Sequence, residues 1–228
     1  MNAIAAVIGS SGGIGRALIR ALEADPRYHA VIGLSRSGTP ALELTSEDSI
    51  RACAAFVAEQ GTPRLIIDAT GVLQTDALKP EKSWRELDAA QMMQSFAINA
   101  IGPALLMKHL LPLLPREGSA VFATLSARVG SIGDNRLGGW YSYRASKAAL
   151  NQLVRTAAIE LTRRSANAIC VALHPGTVDT GLSASFAKTG LDVQTPALAA
   201  ERLLAVIHRL TAEDSGGFFD YSGATIRW

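Results

Sequence analysis

The sequence has 228 residues, with 22 lysines and arginines against 20 aspartates and glutamates, for a net charge of +2. This length favours one domain over residues 1–228 and is sufficient for a full hydrophobic core. The small net charge argues against a nucleic-acid-binding or membrane-surface protein, because both need a concentrated basic face. A hydrophobic content of 48% with 18% charged residues excludes wholesale disorder.

Apolar runs alternate along the chain with stretches of helical periodicity. The runs predict strands at residues 3–8, 30–34, 41–44, 65–67, 120–125, 168–173 and 217–220. Helices are predicted at residues 14–24, 47–59, 87–114, 143–163 and 196–210, the third bent at Gly102-Pro103. This alternation indicates an α/β fold, a single-domain doubly wound parallel sheet (Rossmann fold) of about seven strands with helices on both faces.

Several kinds of segment and site are not expected. The apolar run at residues 105–114 is interrupted by Lys108, His109 and Pro112, so we interpret it as a buried helix rather than a membrane span. The chain enters a strand at Ala3, which leaves no room for a separable targeting segment, and we expect a cytoplasmic location. The two cysteines and four histidines show no metal-ligand spacing, so no metal site is expected.

The first predicted strand ends in a glycine-rich turn, Gly9-Ser-Ser-Gly-Gly13-Ile-Gly15, directly before a helix. Glycine lets the chain turn tightly and lets backbone N–H groups approach a pyrophosphate at the helix N-terminus. The alternative is a glycine-rich turn without a ligand. The position of the turn between a strand and a helix favours dinucleotide binding.

Arg36 follows the second predicted strand. A carboxylate near this position binds the ribose 2′-hydroxyl of NAD, whereas an arginine accommodates the 2′-phosphate of NADP. No acidic residue occurs between Val31 and Pro40, so the sequence favours NADP(H) over NAD(H). The alternative is that Arg36 is a solvated surface residue.

Tyr143 and Lys147 lie four residues apart on a predicted helix, so their side chains project from one face. A cation about 5 Å from a phenol stabilises the phenolate by roughly 3 kcal/mol at an effective dielectric of about 20. We therefore expect Lys147 to lower the pKa of Tyr143 toward neutrality, where a phenol can act as general acid or base. The same spacing occurs on ordinary helix surfaces. The catalytic interpretation therefore depends on the location of this helix, after the strand at residues 120–125.

Together these motifs resemble those of the short-chain dehydrogenase/reductase family, over essentially the whole chain. Tyr143 and Lys147 resemble its catalytic pair, and Asp68-Ala-Thr-Gly71 resembles its Asn-Asn-Ala-Gly element, although only the glycine is kept. The stretch at residues 126–151 resembles that of the C-factor and sniffer-like carbonyl reductases. This resemblance implies NADPH-dependent reduction of small carbonyls and, for some members, signalling roles.

The resemblance also implies site residues. The catalytic set is Asn99, Ser126, Tyr143 and Lys147, with Asn99 holding a water that links Lys147 to solvent. The cofactor-binding set is Gly9, Ser11, Gly13, Ile14, Gly15, Ser35, Arg36, Glu43, Leu44, Ala69, Thr70, Gly71, Pro175, Gly176, Val178 and Thr180. The helices at residues 87–114 and 143–163 resemble those that pair between subunits in the family, which implies a homodimer or homotetramer. Residues 179–189 are expected to form a loop on the substrate side.

One motif departs from the family. Its usual pattern after this strand is Ser-Ser-x-x-Gly, in which the second serine acts on the substrate. The sequence here is Ser126-Ala127-Arg-Val-Gly130, so alignment places Ala127 at the catalytic position. Ser126 is our candidate for the replacing hydroxyl and Ser131 is the other, while a purely structural role for Ser126 is the alternative.

These features predict an NADPH-dependent oxidoreductase that transfers a hydride between nicotinamide and a small carbonyl or alcohol, with Tyr143 as general acid or base. The alternative is a non-catalytic NADP(H)-binding sensor or signalling protein on the same fold. Ala127 supports the alternative, whereas the presence of Asn99, Tyr143 and Lys147 argues against it because a pure binder needs no activated phenol. Trp140 and Tyr141 either line a pocket or pack against the preceding loop.

Overall fold

A parallel sheet of six strands forms the centre of the protein, which we describe from a computed structural model. The structure describes residues 3–76, 78–181 and 193–228. The strands run in the order β2-β1-β3-β4-β5-β8. Their bounds are Ala3–Ile8 (β1), Ala30–Leu34 (β2), Thr62–Asp68 (β3), Ala120–Leu125 (β4), Ala168–His174 (β5) and Phe218–Asp220 (β8). A second sheet pairs Thr177–Val178 (β6) with Val193–Gln194 (β7).

Helices cover both faces of this sheet, which confirms the predicted fold class. The six α-helices of the described chain are Gly13–Glu23 (α1), Glu47–Gln60 (α2), Ala89–Phe96 (α3), Gly102–Leu110 (α4), Tyr141–Arg164 (α5) and Pro196–Ile207 (α6). Side chains of β1 alternate between the two cores because successive residues of a strand face opposite ways. Ile4 and Ile8 pack in the core that contains α4 and α5 residues, whereas Val7 packs in the core with α1 and α6 residues.

The predicted strand at residues 41–44 is wrong. Its backbone turns back after β2: the Ser35 carbonyl accepts hydrogen bonds from both Gly38 N–H and Leu42 N–H. Leu42 is nevertheless buried in the core, and Leu44 packs against it. The apolar residues of this segment therefore reflect core contacts made by a loop. The main sheet has six strands rather than seven in the described residues.

The predicted helix at residues 87–114 is helical over most of its length but changes type. Between α3 and α4 lies a π-helical turn, Ala97–Ile101, and α4 continues into a 3-10 turn at Leu111–Leu113. Pro103 has no N–H to donate to the Asn99 carbonyl, so regular α-helical hydrogen bonding is interrupted at this point. Ala89–Leu113 is long and apolar enough to cross a membrane by length and composition alone.

The strand order places a crevice beside the carboxyl end of β1. β2 lies on one side of β1 and β3 lies on the other. The chain therefore crosses over β1 on its way from β2 to β3, and the direction of strand order reverses at β1. Ligands of open α/β sheets bind at such a reversal. The glycine turn after β1 and the segments after β3, β4 and β5 meet there. Of the predicted substrate-side loop, residues 182–189 lie outside the described residues.

Candidate active site

A cavity of about 510 Å³ lies at the carboxyl ends of β3, β4 and β5. Eleven predicted site residues line it: Ile14, Ala69, Thr70, Gly71, Ser126, Tyr143, Lys147, Pro175, Gly176, Val178 and Thr180. Its other walls combine apolar side chains such as Leu73, Val129 and Leu137 with an equal number of polar or charged residues. A cavity that combines apolar walls with convergent polar groups is typical of a small-molecule site.

Tyr143 and Lys147 lie on the first two turns of α5 and both face the cavity. The Lys147 Nζ lies 6.0 Å from the centre of the Tyr143 ring and donates a hydrogen bond to the Leu125 carbonyl at 2.8 Å. Within the described residues, the Tyr143 hydroxyl has no hydrogen bond to protein, which leaves it available to a ligand. The two groups are therefore placed to act together on a molecule in the cavity.

The expected lowering of the Tyr143 pKa is wrong for this structure. Burial raises the pKa of Tyr143, because the phenolate would lose its hydration. Burial also lowers the pKa of Lys147 to about 8, with attraction to Asp68 opposing the shift. The lysine is thus only partly charged near that pH, and desolvation of the phenol is the cause of the Tyr143 shift. Tyr143 keeps its proton at neutral pH, which is the form needed by a general acid.

Asp68, at the end of β3, organises the segment that lines the cavity beside Lys147. It is fully buried, and its carboxylate accepts hydrogen bonds from Thr70 N–H at 3.0 Å, the Thr70 hydroxyl at 2.5 Å and the Thr124 hydroxyl at 2.7 Å. Burial raises the pKa of Asp68, and these three donors oppose the shift. The sequence singled out this motif for its glycine, whereas the structure shows that the aspartate fixes the turn.

Asn99 lies in the π-helical turn, with its side chain fully buried behind the cavity. Its Oδ1 accepts from Val72 N–H and its Nδ2 donates to the Val72 carbonyl, both at 2.8 Å. Nδ2 also lies 3.3 Å from the hydroxyls of Ser95 and Ser146. The side chain therefore joins the segment after β3 to the helices. The predicted water-holding role of Asn99 stays a prediction.

The structure gives Ser126 a protein partner. Its hydroxyl is buried and donates to Asn151 Oδ1 at 2.6 Å, and Asn151 Nδ2 in turn lies 3.5 Å from the Gly130 carbonyl. A hydroxyl has one proton, so Ser126 cannot donate to a substrate while this bond is made. Ala127 lines the cavity. Ser131 is buried, accepts from Asp134 N–H at 3.1 Å, and is absent from the cavity lining in the described chain.

The glycine turn fits a dinucleotide. Gly9 has a left-handed φ of 80°, and a side chain at Gly15 would collide with the Gly9 carbonyl. The residue before α1, Gly12, makes no side-chain cap, so the N–H groups of the first helical turn keep room for an anion. Ser11 lies exposed on the turn. A side chain at Gly13 would also approach Thr180, so the turn packs against the segment after β5.

The second group of predicted cofactor residues lies after β2. Arg36 is exposed, while Ser35 is buried and its hydroxyl lies 3.3 Å from that of Ser37. Glu43 accepts from Thr45 N–H at 3.2 Å and from the Thr45 hydroxyl at 3.0 Å. None of these residues lines the main cavity in the described chain. They lie where the sheet's reversal would place the adenosine end of a dinucleotide.

The segment after β5 closes the cavity on the side facing α1. Gly176 has a left-handed φ of 79°, and a side chain there would collide with the ring of Tyr221. Gln194 of β7 donates to the Pro175 carbonyl at 3.2 Å, and Arg202 donates to Gln194 at 2.9 Å. These contacts hold the turn from outside the cavity.

His174 ends β5 and lines the cavity beside this turn. Its Nδ1 is buried without a hydrogen-bond partner in the described residues. Burial lowers the pKa of His174 to about 4, and the charge of Arg128 adds to the shift while Asp220 opposes it. Arg128 in turn bridges Asp220 at 2.9 Å and Asp134 at 3.0 Å. His174 is therefore neutral at physiological pH.

Acid is expected to destabilise the protein through His174. Between pH 6.5 and about 4 this histidine is protonated in the unfolded chain and neutral in the folded protein, so stability falls as pH falls. From pH 7 to pH 5 this one group accounts for a loss of about 2 kcal/mol. Urea unfolding of the wild type and of His174→Gln at both pH values measures it. Equal losses in the two proteins would contradict the assignment.

Sequence reasoning missed Glu81, Arg144 and Asn151 as parts of this site. Glu81 lies in an irregular segment with no motif, yet its carboxylate accepts from Ser142 N–H at the start of α5. Arg144 donates to the Gly139 carbonyl at 3.0 Å and to the Val129 carbonyl at 3.2 Å. Asn151 lies one helical turn after Lys147, and that spacing was the available signal.

Comparison with known proteins agrees with this geometry. A family model described as "Enoyl-(Acyl carrier protein) reductase" matches residues 20–211. A dehydrogenase of Rhodococcus sp. (strain AD45), named "1-hydroxy-2-glutathionyl-2-methyl-3-butene dehydrogenase", is 34% identical over 190 residues, which cover 83% of this chain and 79% of that protein. "C-signal" of Myxococcus xanthus is 40% identical over 144 residues, or 63% of this chain and 82% of that protein.

A solved structure extends the likeness to the whole fold. The NADPH-bound carbonyl reductase from chicken fatty liver superposes with a TM-score of 0.85 and 26% identity, covering 100% of this chain and 94% of that one. The sequence match over most of the chain and the shared fold lead to the same assignment. The chain belongs to the short-chain dehydrogenase/reductase family.

Proposed function

We propose that this protein is an NADPH-dependent reductase of small carbonyl compounds, with the corresponding alcohol oxidation as the reverse reaction. The observation that carries the proposal is the Tyr143–Lys147 pair in the cavity, with a phenol that keeps its proton and has no protein partner in the described residues. Two similar proteins, named as a dehydrogenase and as a carbonyl reductase, support the same reaction class.

The cofactor, when bound, supplies the hydride for the substrate carbonyl carbon. The glycine turn and the open N-terminus of α1 would hold its pyrophosphate, and Gly71, Pro175 and Gly176 would lie along its nicotinamide end. The protein's own contribution is then to place the substrate and to deliver a proton.

Tyr143 is the proton donor in this mechanism. Its hydroxyl protonates the carbonyl oxygen as negative charge develops there, and Lys147 stabilises the phenolate that remains. Lys147 is held by the Leu125 carbonyl, and its pKa of about 8 lets it lose or regain a proton near neutral pH. In the reductive direction the tyrosine starts protonated, and in the reverse reaction the phenolate accepts the proton of the alcohol.

The first experiment is a titration of the purified protein with NADPH and NADH, followed by turnover with a panel of aldehydes, ketones and quinones. We expect NADPH to bind more tightly and to be oxidised only when a carbonyl is present. NADPH binding without turnover over the whole panel would contradict the reductase proposal and favour the sensor alternative. A higher specificity constant for NADH would contradict the proposed cofactor preference.

Arg36 is expected to set that preference. An exposed guanidinium at the end of β2 can form charge-assisted hydrogen bonds to a 2′-phosphate. Replacing Arg36 by serine should lower kcat/KM for NADPH by about 10- to 100-fold, since such bonds contribute about 1.5–3 kcal/mol. The value for NADH should change little. An Arg116→Ser variant, which removes an exposed arginine from the segment before β4, is the matched control and should retain the wild-type preference.

The oligomeric state and location belong to the same proposal. Met93 and Ile101, on the helical stretch between β3 and β4, are exposed apolar residues, 66% and 54% accessible. Exposed apolar groups on that stretch support a homodimer or homotetramer built on it and on α5. Analytical ultracentrifugation tests this, and a monomer at micromolar concentration would contradict it. A cytoplasmic location remains part of the proposal.

A further inference from the structure

Glu81 lies in the irregular segment between β3 and the 3-10 turn Trp84–Glu86, away from the sequence motifs. It is 3% exposed and has no ion-pair partner in the described part of the chain. One carboxylate oxygen accepts from Ser142 N–H at 3.1 Å and the other accepts from the Ser142 hydroxyl. Its main-chain carbonyl accepts from Trp140 N–H at 2.5 Å. Through both its side chain and its backbone, Glu81 holds the start of α5.

The helix has no cap of its own at this end. Its N-cap residue, Trp140, makes no side-chain capping bond, and the first turn of α5 contains no acidic residue. The N-terminal N–H groups of a helix need acceptors, and the helix dipole stabilises a negative charge there. Glu81 supplies the acceptor and the negative charge from a different part of the chain. A buried carboxylate is costly unless it is paired or hydrogen-bonded, and this position meets that need.

The segment before α5 is strained and leads directly to the cavity. Gly138 and Gly139 both have φ of 63°, which glycine adopts readily, but Trp140 has φ of 51°, a left-handed conformation that side chains disfavour. Such conformations persist only where the surroundings hold them. The Trp140 ring lines the cavity and meets the Tyr143 ring edge-to-face, with centroids 6.3 Å apart. The main-chain hydrogen bond from Trp140 N–H to the Glu81 carbonyl is one of the contacts that keep the Trp140 ring in place.

We propose that Glu81 is a positioning residue of the active site: it fixes Trp140 and the first turn of α5, and thereby the hydroxyl of Tyr143. The inference rests on the proposed reductase function. The remainder of α5 is held independently, because Leu150, Val154, Ala158 and Leu161 are buried in the core. Loss of the Glu81 carboxylate contacts to Ser142, with the main-chain bond to Trp140 retained, should therefore loosen the first turn and leave the helix formed.

The test compares Glu81→Ala, Glu81→Gln and a matched control, Glu86→Ala. Glu86 is an exposed residue of the same segment, and its carboxylate accepts from Lys82 N–H at 2.8 Å. We expect Glu81→Ala to lower kcat by about 10- to 100-fold, as misplacement of a catalytic group by about 1 Å can do. The NADPH dissociation constant should stay within about 2-fold, because the glycine turn is unaffected. Glu81→Gln, which keeps an acceptor oxygen, should recover most of the rate, and Glu86→Ala should match the wild type.

Hydrogen exchange gives a readout that does not depend on turnover. In Glu81→Ala the amides of residues 142–144 should exchange faster, while those of residues 150–161 keep wild-type protection. Equal kcat in Glu81→Ala and Glu86→Ala, with an active wild type, would overturn the inference. Loss of protection over the whole of α5 would also overturn it, since Glu81 would then support the fold in general. An inactive wild type would overturn the proposed function, and the exchange data alone would then decide the role of Glu81.

Discussion

Replacing Tyr143 by phenylalanine is expected to lower kcat for carbonyl reduction by at least about 10³-fold, within the range that a positioned general acid contributes. The phenol is the proton donor in the proposed mechanism, and burial raises its pKa so that it carries the proton at neutral pH. Its hydroxyl has no protein hydrogen bond in the described residues, so the variant loses little stability. NADPH affinity should remain within about 3-fold, because this substitution removes one hydroxyl from a large contact surface.

Steady-state rates and fluorescence titration of NADPH measure both quantities on the same preparation. Tyr141→Phe is the matched control, because Tyr141 is also in the first turn of α5 but is not among the described residues lining the cavity. It should retain nearly wild-type turnover. Wild-type turnover in Tyr143→Phe would remove the tyrosine from the mechanism. A large loss of NADPH binding would instead indicate that the substitution acts on the cofactor site.

The pH dependence of the site differs from what the spacing of Tyr143 and Lys147 predicts. The spacing correctly places both groups on one helix face, and Coulomb attraction at about 5 Å then favours phenolate. The structure adds burial, which acts on each group separately and cannot be read from the spacing. Desolvation raises the pKa of Tyr143 and lowers that of Lys147 to about 8. A sequence pattern thus identified the Tyr143–Lys147 pair, but the direction of the pKa shift of Tyr143 depends on the residues that bury it.

The fold was predictable where a residue's burial follows from strand or helix periodicity. The strands at β1, β4 and β5 are apolar on both faces and were predicted almost to their ends. The segment at residues 41–44 shows the limit of this reasoning, because Leu42 is buried from a loop. Apolar residues signal contact with a core, and a strand also requires a neighbouring strand to pair with. That second condition depends on the tertiary structure.

The same limit applies to the candidate site. Its motifs come from segments that follow strands, and the parallel sheet brings those segments to one edge. Glu81 comes from an irregular segment, and its contact with Ser142 spans 61 positions of sequence. Neither residue type nor spacing indicates such a contact. The hydrogen bond between Ser126 and Asn151 is similar. Ser126 was a predicted site residue and Asn151 only ended the stretch that resembled the family, and their contact is visible only in three dimensions.

Replacing Ala127 by serine is expected to raise kcat/KM for carbonyl reduction by about 100-fold, because one donor to a developing oxyanion contributes about 10²- to 10³-fold. Ala127 lines the cavity after β4, and its backbone is extended, with φ of −142° and ψ of 143°. The serine would supply a second hydroxyl beside that of Tyr143. Specificity constants for the best carbonyl of the panel measure the gain.

The Ser126→Ala variant tests whether Ser126, rather than a hydroxyl at position 127, donates the hydrogen bond to the substrate carbonyl oxygen. The Ser126 proton is committed to Asn151, so its loss should leave kcat within about 3-fold of the wild type. It should cost about 1–3 kcal/mol of stability, because the buried Asn151 oxygen loses its donor. A 100-fold loss of kcat in Ser126→Ala at unchanged stability would identify Ser126 as the substrate's hydrogen-bond donor. In that case Ala127→Ser should add nothing, so the two variants together decide which position after β4 acts on the carbonyl oxygen.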